Sequence, residues 1–361
     1  MNNLQFDDQK YLDSLHRRTT IQNHIHWDGS IPADDLWRFY QDNRKKLFLP
    51  EKYIDGTSVE GDREIKSADE LRSFQTNLFT KYDIVSVFSI PVGAMQTKED
   101  IKAMAVAHCT YLKSQGTLYA ESRFAPWYHT QQGLSIDQVI GYALEGFSQS
   151  GEEKGVKVRP IICINREVDP EEAKKMVRAA LNFSERGVVG IDLACYEPPF
   201  PPEKFKEAYA LTFDSSLKRT VHADEMCPEE EGVRNLAAAI DDLRADGISH
   251  AIHLWKHPQL IEKMRERKIR LESNPISNLT CSFISDIADL HLDYLLQQSV
   301  TVTISSDDPA MWSNGDLAHN LYVVGKLYGN DFVNTVIKNG IETAWGLTED
   351  EKKQFLENLR K

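Results

Sequence analysis

No C-x-x-C pair occurs among the five cysteines (Cys109, Cys163, Cys195, Cys227 and Cys281), which are odd in number and widely spaced. Neither a disulfide framework nor a cysteine zinc knuckle is supported, so a reduced, cytoplasmic setting is the expectation. The N-terminal MNNLQFDDQKYLDSLHRR lacks the apolar core of a secretory signal. No uninterrupted apolar stretch approaches the roughly 20 residues of a membrane span. Positive charge is in deficit: the formal net charge is −13, which argues against a nucleic-acid partner. A serine-centred elbow, a P-loop, a dinucleotide fingerprint and an H-E-x-x-H helix are all missing. Repeats, low-complexity tracts and linkers are missing too, so residues 1–361 read as one domain. With 41% apolar and 27% charged residues, that domain has the makings of an ordinary globular core.

What is present is alternation. Short β-type runs fall at Thr20–His24, Leu118–Phe124, Lys157–Ile164, Val188–Leu193, Arg219–His222, Ile248–His250, Ile269–Ser273 and Ser299–Ser305, with helical patterns between them. Eight such runs are what a single α/β (β/α)8 TIM-type barrel requires. Helix starts are legible in the capping-box patterns Ser67-x-x-Glu70, Ser135-x-x-Gln138 and Thr348-x-x-Glu351, and in Asp169-Pro170. The stretch between the first two runs is much longer than a usual crossover, so a helical insertion is expected at approximately 30–105. It holds a polar loop, Glu51–Arg63, and then Leu71, Phe74, Leu78, Phe79 and Tyr82 at helical spacing. That apolar face either packs on the barrel or roofs its mouth as a lid.

The strand ends carry the chemistry. His24 and His26 are two apart on one strand and point the same way. A further histidine and an aspartate from other strand ends would complete a nitrogen/oxygen metal site of the kind zinc favours. His222, His250 and the Asp307-Asp308 pair sit at the carboxyl ends of their runs, the face on which barrel active sites are built. Glu225, three residues past His222, is placed to stay outside a metal shell and move protons. A lone histidine at a strand end is usually a packing or turn residue. Four strand ends bearing such groups together are not explained that way.

These residues fall into motifs that resemble the adenosine deaminase family of metal-dependent hydrolases, from about Gln22 to the C-terminus. The family's H-x-H-L-D-G stands here as HIHWDG and its V-x-V-E-x-R-x-x-P as YAESRFAP. I-D-L-A-G, H-A-G-E and G-H-G correspond to IDLAC, HADE and SHA, while C-P-x-S-N and T-D-D-P correspond to NPISN and SDDP. The resemblance implies one zinc ion per chain on His24, His26, His222 and Asp307. It implies that Glu225 protonates the purine ring, that His250 and Asp307 handle the attacking water, and that Asp308 binds the imidazole side of the base. Asp28 and Cys195 are the further implied substrate contacts, Asp28 toward a ribose. The expected partner is a small purine nucleoside, adenosine or a close relative, with no nucleic acid and no membrane involved. Deamination of adenine or a modified aminopurine is the alternative, and a non-catalytic nucleoside-binding relative belongs to a different class.

Several positions admit a plainer account. Asp28-Gly29 also reads as a turn with Ser30 capping the next helix, Gly29 supplying an unusual backbone conformation. Glu121 and Arg123 alternate on the second strand and are expected as a buried ion pair. Asn274, Ser277 and Asn278 are candidates for holding the ligands in place. His253, on an expected loop, points to solvent or packing rather than to metal. Trp27, Trp127, Trp255 and Trp312 follow strand ends and invite an aromatic wall, with packing the better account of any single one. The chain departs from the family where Cys195, Asp224, Ser249 and Ala251 replace glycines and Trp27 replaces a leucine, which suggests a reshaped pocket.

Overall fold

The computed structural model describes residues 8–18, 20–43, 64–76 and 84–359. Eight strands run in parallel in the order β1 to β8: Thr20–His26, Thr117–Phe124, Lys157–Asn165, Gly190–Ala194, Lys218–Ala223, Gly247–His250, Arg270–Ser273 and Thr301–Ile304. Helices lie between them, giving the expected α/β barrel. β1 and β8 meet through a parallel bridge between Ile25 and Asp307, just past the end of β8. β1 runs two residues further than its apolar run and so includes both histidines of H-x-H. β8 is shorter than its run; beyond its end Ser305 N–H still donates to Ser273 O at 3.0 Å, and its Oγ accepts from His24 N at 3.1 Å.

Local chemistry accounts for the helix starts. Ser135/Gln138 and Thr348/Glu351 form reciprocal capping boxes, and the Asp169 carboxylate accepts from the backbone N–H of Glu171 and Glu172 ahead of Pro170. At Ser67 only half the box forms, since Glu70 turns to the Lys66 backbone instead. Ser30 caps nothing. Its hydroxyl donates to Trp27 O and contacts His108 Nδ1, while Pro32 occupies the cap of helix Ala33–Asp42. Of the inserted segment, helix Ala68–Thr76 buries Leu71 and Phe74 against helix Ala33–Asp42. Leu78, Phe79, Tyr82 and the polar loop Glu51–Arg63 lie outside the described residues. No helix among the described residues is long and apolar enough to cross a membrane.

The barrel interior is polar at its centre. Glu121 and Arg123 are both fully buried, yet they do not pair with each other. Both project into the barrel, and each finds its partner on another strand. Arg270 of β7 binds Glu121 at 2.8 Å and Glu272 at 2.5 Å, stacked on Trp345. Arg123 binds Asp192 of β4 at 2.9 Å and Glu272 at 2.8 Å. Trp27 is core as well: its Nε1 donates to Met104 O and its ring meets Phe124 and Phe147. Removing one partner of a fully buried ion pair strands the other charge at a cost of about 3–5 kcal/mol. Arg270→Met is accordingly expected to lower the unfolding free energy by about that amount. Urea denaturation measures it, and a loss under about 1 kcal/mol would show the pair to be dispensable.

Candidate functional site

At the carboxyl face of the barrel, β1, β5 and the turn after β8 bring four side chains to one point. His24, His26, His222 and Asp307 each offer a ligand atom within 4.8 Å of the others. His24 Nε2 lies 3.0 Å and His26 Nε2 3.4 Å from Asp307 Oδ1, and the Nε2 atoms of His26 and His222 are 3.2 Å apart. Two ring nitrogens at that separation gain little from each other but suit a shared cation.

The layer beneath fixes their state. His24 Nδ1 is 3.2 Å from Glu272 Oε2, and His222 Nδ1 is 3.1 Å from Asp192 Oδ2. Burial alone would raise both carboxyls, but Arg123 and the imidazoles hold Glu272 well below and Asp192 below the ordinary range. An ionised carboxylate only accepts, so each Nδ1 carries the proton and each Nε2 turns a lone pair to the centre. Burial also pushes His222 down to about 4 and His26 well below its usual value, which keeps both rings neutral. This donor set fits a divalent cation with nitrogen and oxygen ligands, and His24, His26, His222 and Asp307 are the residues that could hold it.

Beside this centre stand three further groups. Glu225 Oε1 is 3.4 Å from His250 Nε2, which lies 4.0 Å from Asp307 Oδ2 and has no hydrogen-bond partner of its own. The other ring nitrogen, Nδ1, contacts Asn278 Oδ1 at 2.8 Å, and Ser277 Oγ donates to Asp307 Oδ2 at 2.7 Å. Asn274 makes no such contact; both its amide atoms are buried without partners. Burial raises Glu225 to about 7, Asp307 and Glu197 adding to the effect against His250. Asp307 goes the other way, because its bond to His24 and the surrounding imidazoles outweigh burial. Asp308 is pushed well above its usual value by burial and by Asp307, Asp28 and Glu225, and its Oδ1 is buried and unpartnered.

A cavity of about 280 Å³ opens over these groups, lined by His26, Asp28, Cys195, His222, Glu225, Asp307 and Asp308. Gly29 does not adopt a positive φ. Its need is space, for a Cβ there would fall 1.7 Å from Asp308 Oδ1. None of the four tryptophans lines the cavity; Phe88, Tyr128 and Tyr196 do, Phe88 from helix Ile84–Gly93. His253 is turned away from the cation centre to Asp224, its Nδ1 2.7 Å from Asp224 Oδ1.

Sequence reasoning missed Glu197, Tyr128 and Glu167. Glu197 is buried and accepts from the backbone N–H of Asp224, Glu225 and Met226 at 3.0, 3.1 and 3.4 Å, and from Asn235 Nδ2 at 2.9 Å. It therefore clamps the turn that carries Glu225. The strand-end rule that picked out His222 would have reached Glu197 and Glu167, since both follow β4 and β3 within a few residues.

The family model described as adenosine deaminase matches residues 20–361. An adenosine deaminase from Clostridium kluyveri is 30% identical over 339 residues, covering 93% of this chain and 92% of that protein. Among solved structures, an adenine deaminase from Arthrobacter aurescens superposes with a TM-score of 0.80 at 21% identity, covering 95% of this chain and 98% of that one. An N6-mAMP deaminase from Arabidopsis does so at 0.77 and 18% identity, covering 96% and 99%.

Loss of one imidazole from the cluster is expected to abolish metal retention at the barrel centre. For His222→Ala, elemental analysis after dialysis should find the barrel centre empty in a protein whose far-ultraviolet circular dichroism is unchanged. Undiminished metal at that centre would remove His222 from the ligand set.

Proposed function

The chain belongs to the adenosine deaminase family, hydrolases that act on carbon–nitrogen bonds in cyclic amidines, and we propose that it deaminates adenosine or a closely related aminopurine nucleoside with the help of one zinc ion. One observation carries the reading: three Nε2 atoms and Asp307 converge on a point that shares its cavity with Glu225 and Asp308. A zinc ion on His24, His26, His222 and Asp307 would supply a Lewis acid that brings a bound water's pKa to about 7.

The remaining work belongs to the side chains. Glu225, raised to about 7, carries a proton near neutrality and is positioned to give it to the ring nitrogen beside the amine-bearing carbon. Protonation draws electrons from that carbon and opens it to attack. His250 Nε2, unpartnered between Glu225 and Asp307, orients the attacking water and balances the charge that develops. Asp308, kept protonated, donates to the imidazole nitrogen of the purine, which only accepts. Ammonia leaves and a carbonyl takes the place of the amine. Helix Ile84–Gly93, through Phe88, Ser89 and Val92, covers part of the cavity and acts as its lid.

Asp28 favours a nucleoside. It is 6% exposed, lines the cavity, and accepts the Gly29 N–H at 3.2 Å on its carboxylate. No lysine or arginine occurs among the described lining residues, whereas Asp28 and Glu167 do, so a 5′-phosphate finds repulsion rather than a partner. The apolar outer wall of Phe88, Val92 and Met226 supports a second reading, a free base or an aminopurine with an apolar substituent. Ammonia release from adenosine, adenine and AMP by the zinc-loaded enzyme decides. Adenosine should give the highest kcat/KM, adenine in first place would install the second reading, and AMP in first place would end both.

Two variants sharpen the assignment. Asp28→Ala is expected to cost about tenfold in kcat/KM on adenosine, the worth of one charged hydrogen bond, and little on adenine. Equal losses on both would make Asp28 a turn residue. Glu225→Gln should lower kcat by about 10²- to 10⁴-fold. Because the acid must be protonated to donate, the limb of the parent's kcat profile that depends on Glu225 is expected to fall as pH rises through about 7. A parent profile flat across that region would remove Glu225 from the proton transfer.

A further inference from the structure

Away from the barrel mouth, two imidazoles and a carboxylate converge where helix Asp8–His16 meets the start of helix Leu317–Tyr328. His16 Nε2 lies 3.5 Å from Asp316 Oδ1, and His319 Nδ1 lies 2.7 Å from Asp316 Oδ2. The two rings meet edge-on with centroids 5.5 Å apart, and each residue offers a ligand atom within 4.8 Å of the other two. A tetrahedral zinc at roughly 2.0–2.1 Å from its ligands holds them roughly 3.4 Å from one another. The His16–Asp316 separation is close to that spacing, and the three ligand atoms lie within 4.8 Å of one another.

Two other features suit a cation. Asp316 is fixed in place as a helix cap, its Oδ1 accepting from His319 N at 3.0 Å. The hydrogen bonds from the His319 ring and backbone outweigh burial and keep its carboxyl below the usual value. Side-chain exposures of 33%, 18% and 22% for His16, Asp316 and His319 leave an ion a route in and room for water. None of the three lines the catalytic cavity.

We propose that His16, Asp316 and His319 form a second site for a divalent transition metal, of the zinc, cobalt or nickel class, that ties the N-terminal helix to the barrel. Nitrogen and carboxylate donors of this kind select those ions over magnesium or calcium. The helix is otherwise held by buried Tyr11 and Leu15, by a Tyr11–Tyr322 ring contact and by an exposed Asp8–Lys326 pair at 2.7 Å. With three protein ligands rather than four, the outer site fills after the barrel centre. An ion bound only by the folded chain raises the thermal midpoint by mass action.

The test uses the barrel-loaded enzyme dialysed against micromolar free zinc. Elemental analysis should find two ions per chain in the parent, one in His16→Ala and one in His319→Ala, both variants keeping the parent's kcat. His222→Ala should show the reverse, losing the barrel ion and keeping the outer one, so the two sites fail separately. Added zinc should raise the midpoint of the loaded parent and leave that of His16→Ala where it was. A parent that holds a single ion, or a second ion that survives both histidine variants, would overturn the proposal.

Discussion

The site depends on how the barrel closes. β1 and the segment after β8 are joined by His26 N–H donating to Asp307 O at 2.9 Å and Asp307 N–H donating to His24 O at 3.3 Å. Those same bonds set three side chains of the candidate metal cluster against one another, since period-two alternation aims His24 and His26 alike and the bridge at Ile25 aligns Asp307 with both. Asp307 takes φ 62° to turn its carboxylate inward from the end of its strand. Barrel closure and cluster assembly are therefore one event. A cation bound there would cross-link the first and last strands of the fold.

Below the seam, buried charge gives orientation more than stability. Ion pairs in a barrel interior lose most of their attraction to desolvation, and apolar replacements are often as stable. What Arg123 achieves is to keep Asp192 and Glu272 ionised, and they in turn fix the tautomers of His222 and His24. Arg166 extends the same logic upward. It donates to His222 O, and its charge holds the Glu197 carboxylate low despite burial, while Glu197 gathers the turn around Glu225. Two arginines thus set the protonation and the position of groups they do not touch through substrate.

Much of this was legible because it followed from strand periodicity. The H-x-H pair, the acidic and histidine strand ends and the count of eight runs all come from alternation and from the rule that barrel chemistry sits at carboxyl ends. Contacts made across the barrel were not legible. Glu121 and Arg123 look like partners because they are neighbours in sequence, but their true partners are on β4 and β7. Gly29 looks like a turn glycine, and only the proximity of Asp308 shows that its missing Cβ matters. The tryptophans drew attention as large rings near strand ends, yet Trp27 is core, while Tyr128 reaches the cavity from the 3₁₀ turn Pro126–His129 and Tyr196 from the loop after β4.

The departures from the family's glycines gain a physical meaning in three dimensions. Cys195, Asp224 and Ala251 all stand where the family has glycine, and all three adopt positive φ, at 76°, 59° and 46°. A side chain in that region costs about 1–2 kcal/mol each, so the substitutions need local compensation. Asp224 has it: its carboxylate accepts from His253 N at 2.7 Å and contacts the His253 ring, and the space it fills exists only because residue 232 is a glycine whose Cβ would sit 2.2 Å away. Asp224, His253 and Gly232 form one unit behind Glu225. Ala251 is held by its N–H donating to Ala223 O. Cys195 differs, because its side chain lines the cavity and approaches the Tyr128 hydroxyl at 3.6 Å. Of the three, only Cys195 lines the cavity, so of these positions it alone alters the wall that a purine would meet.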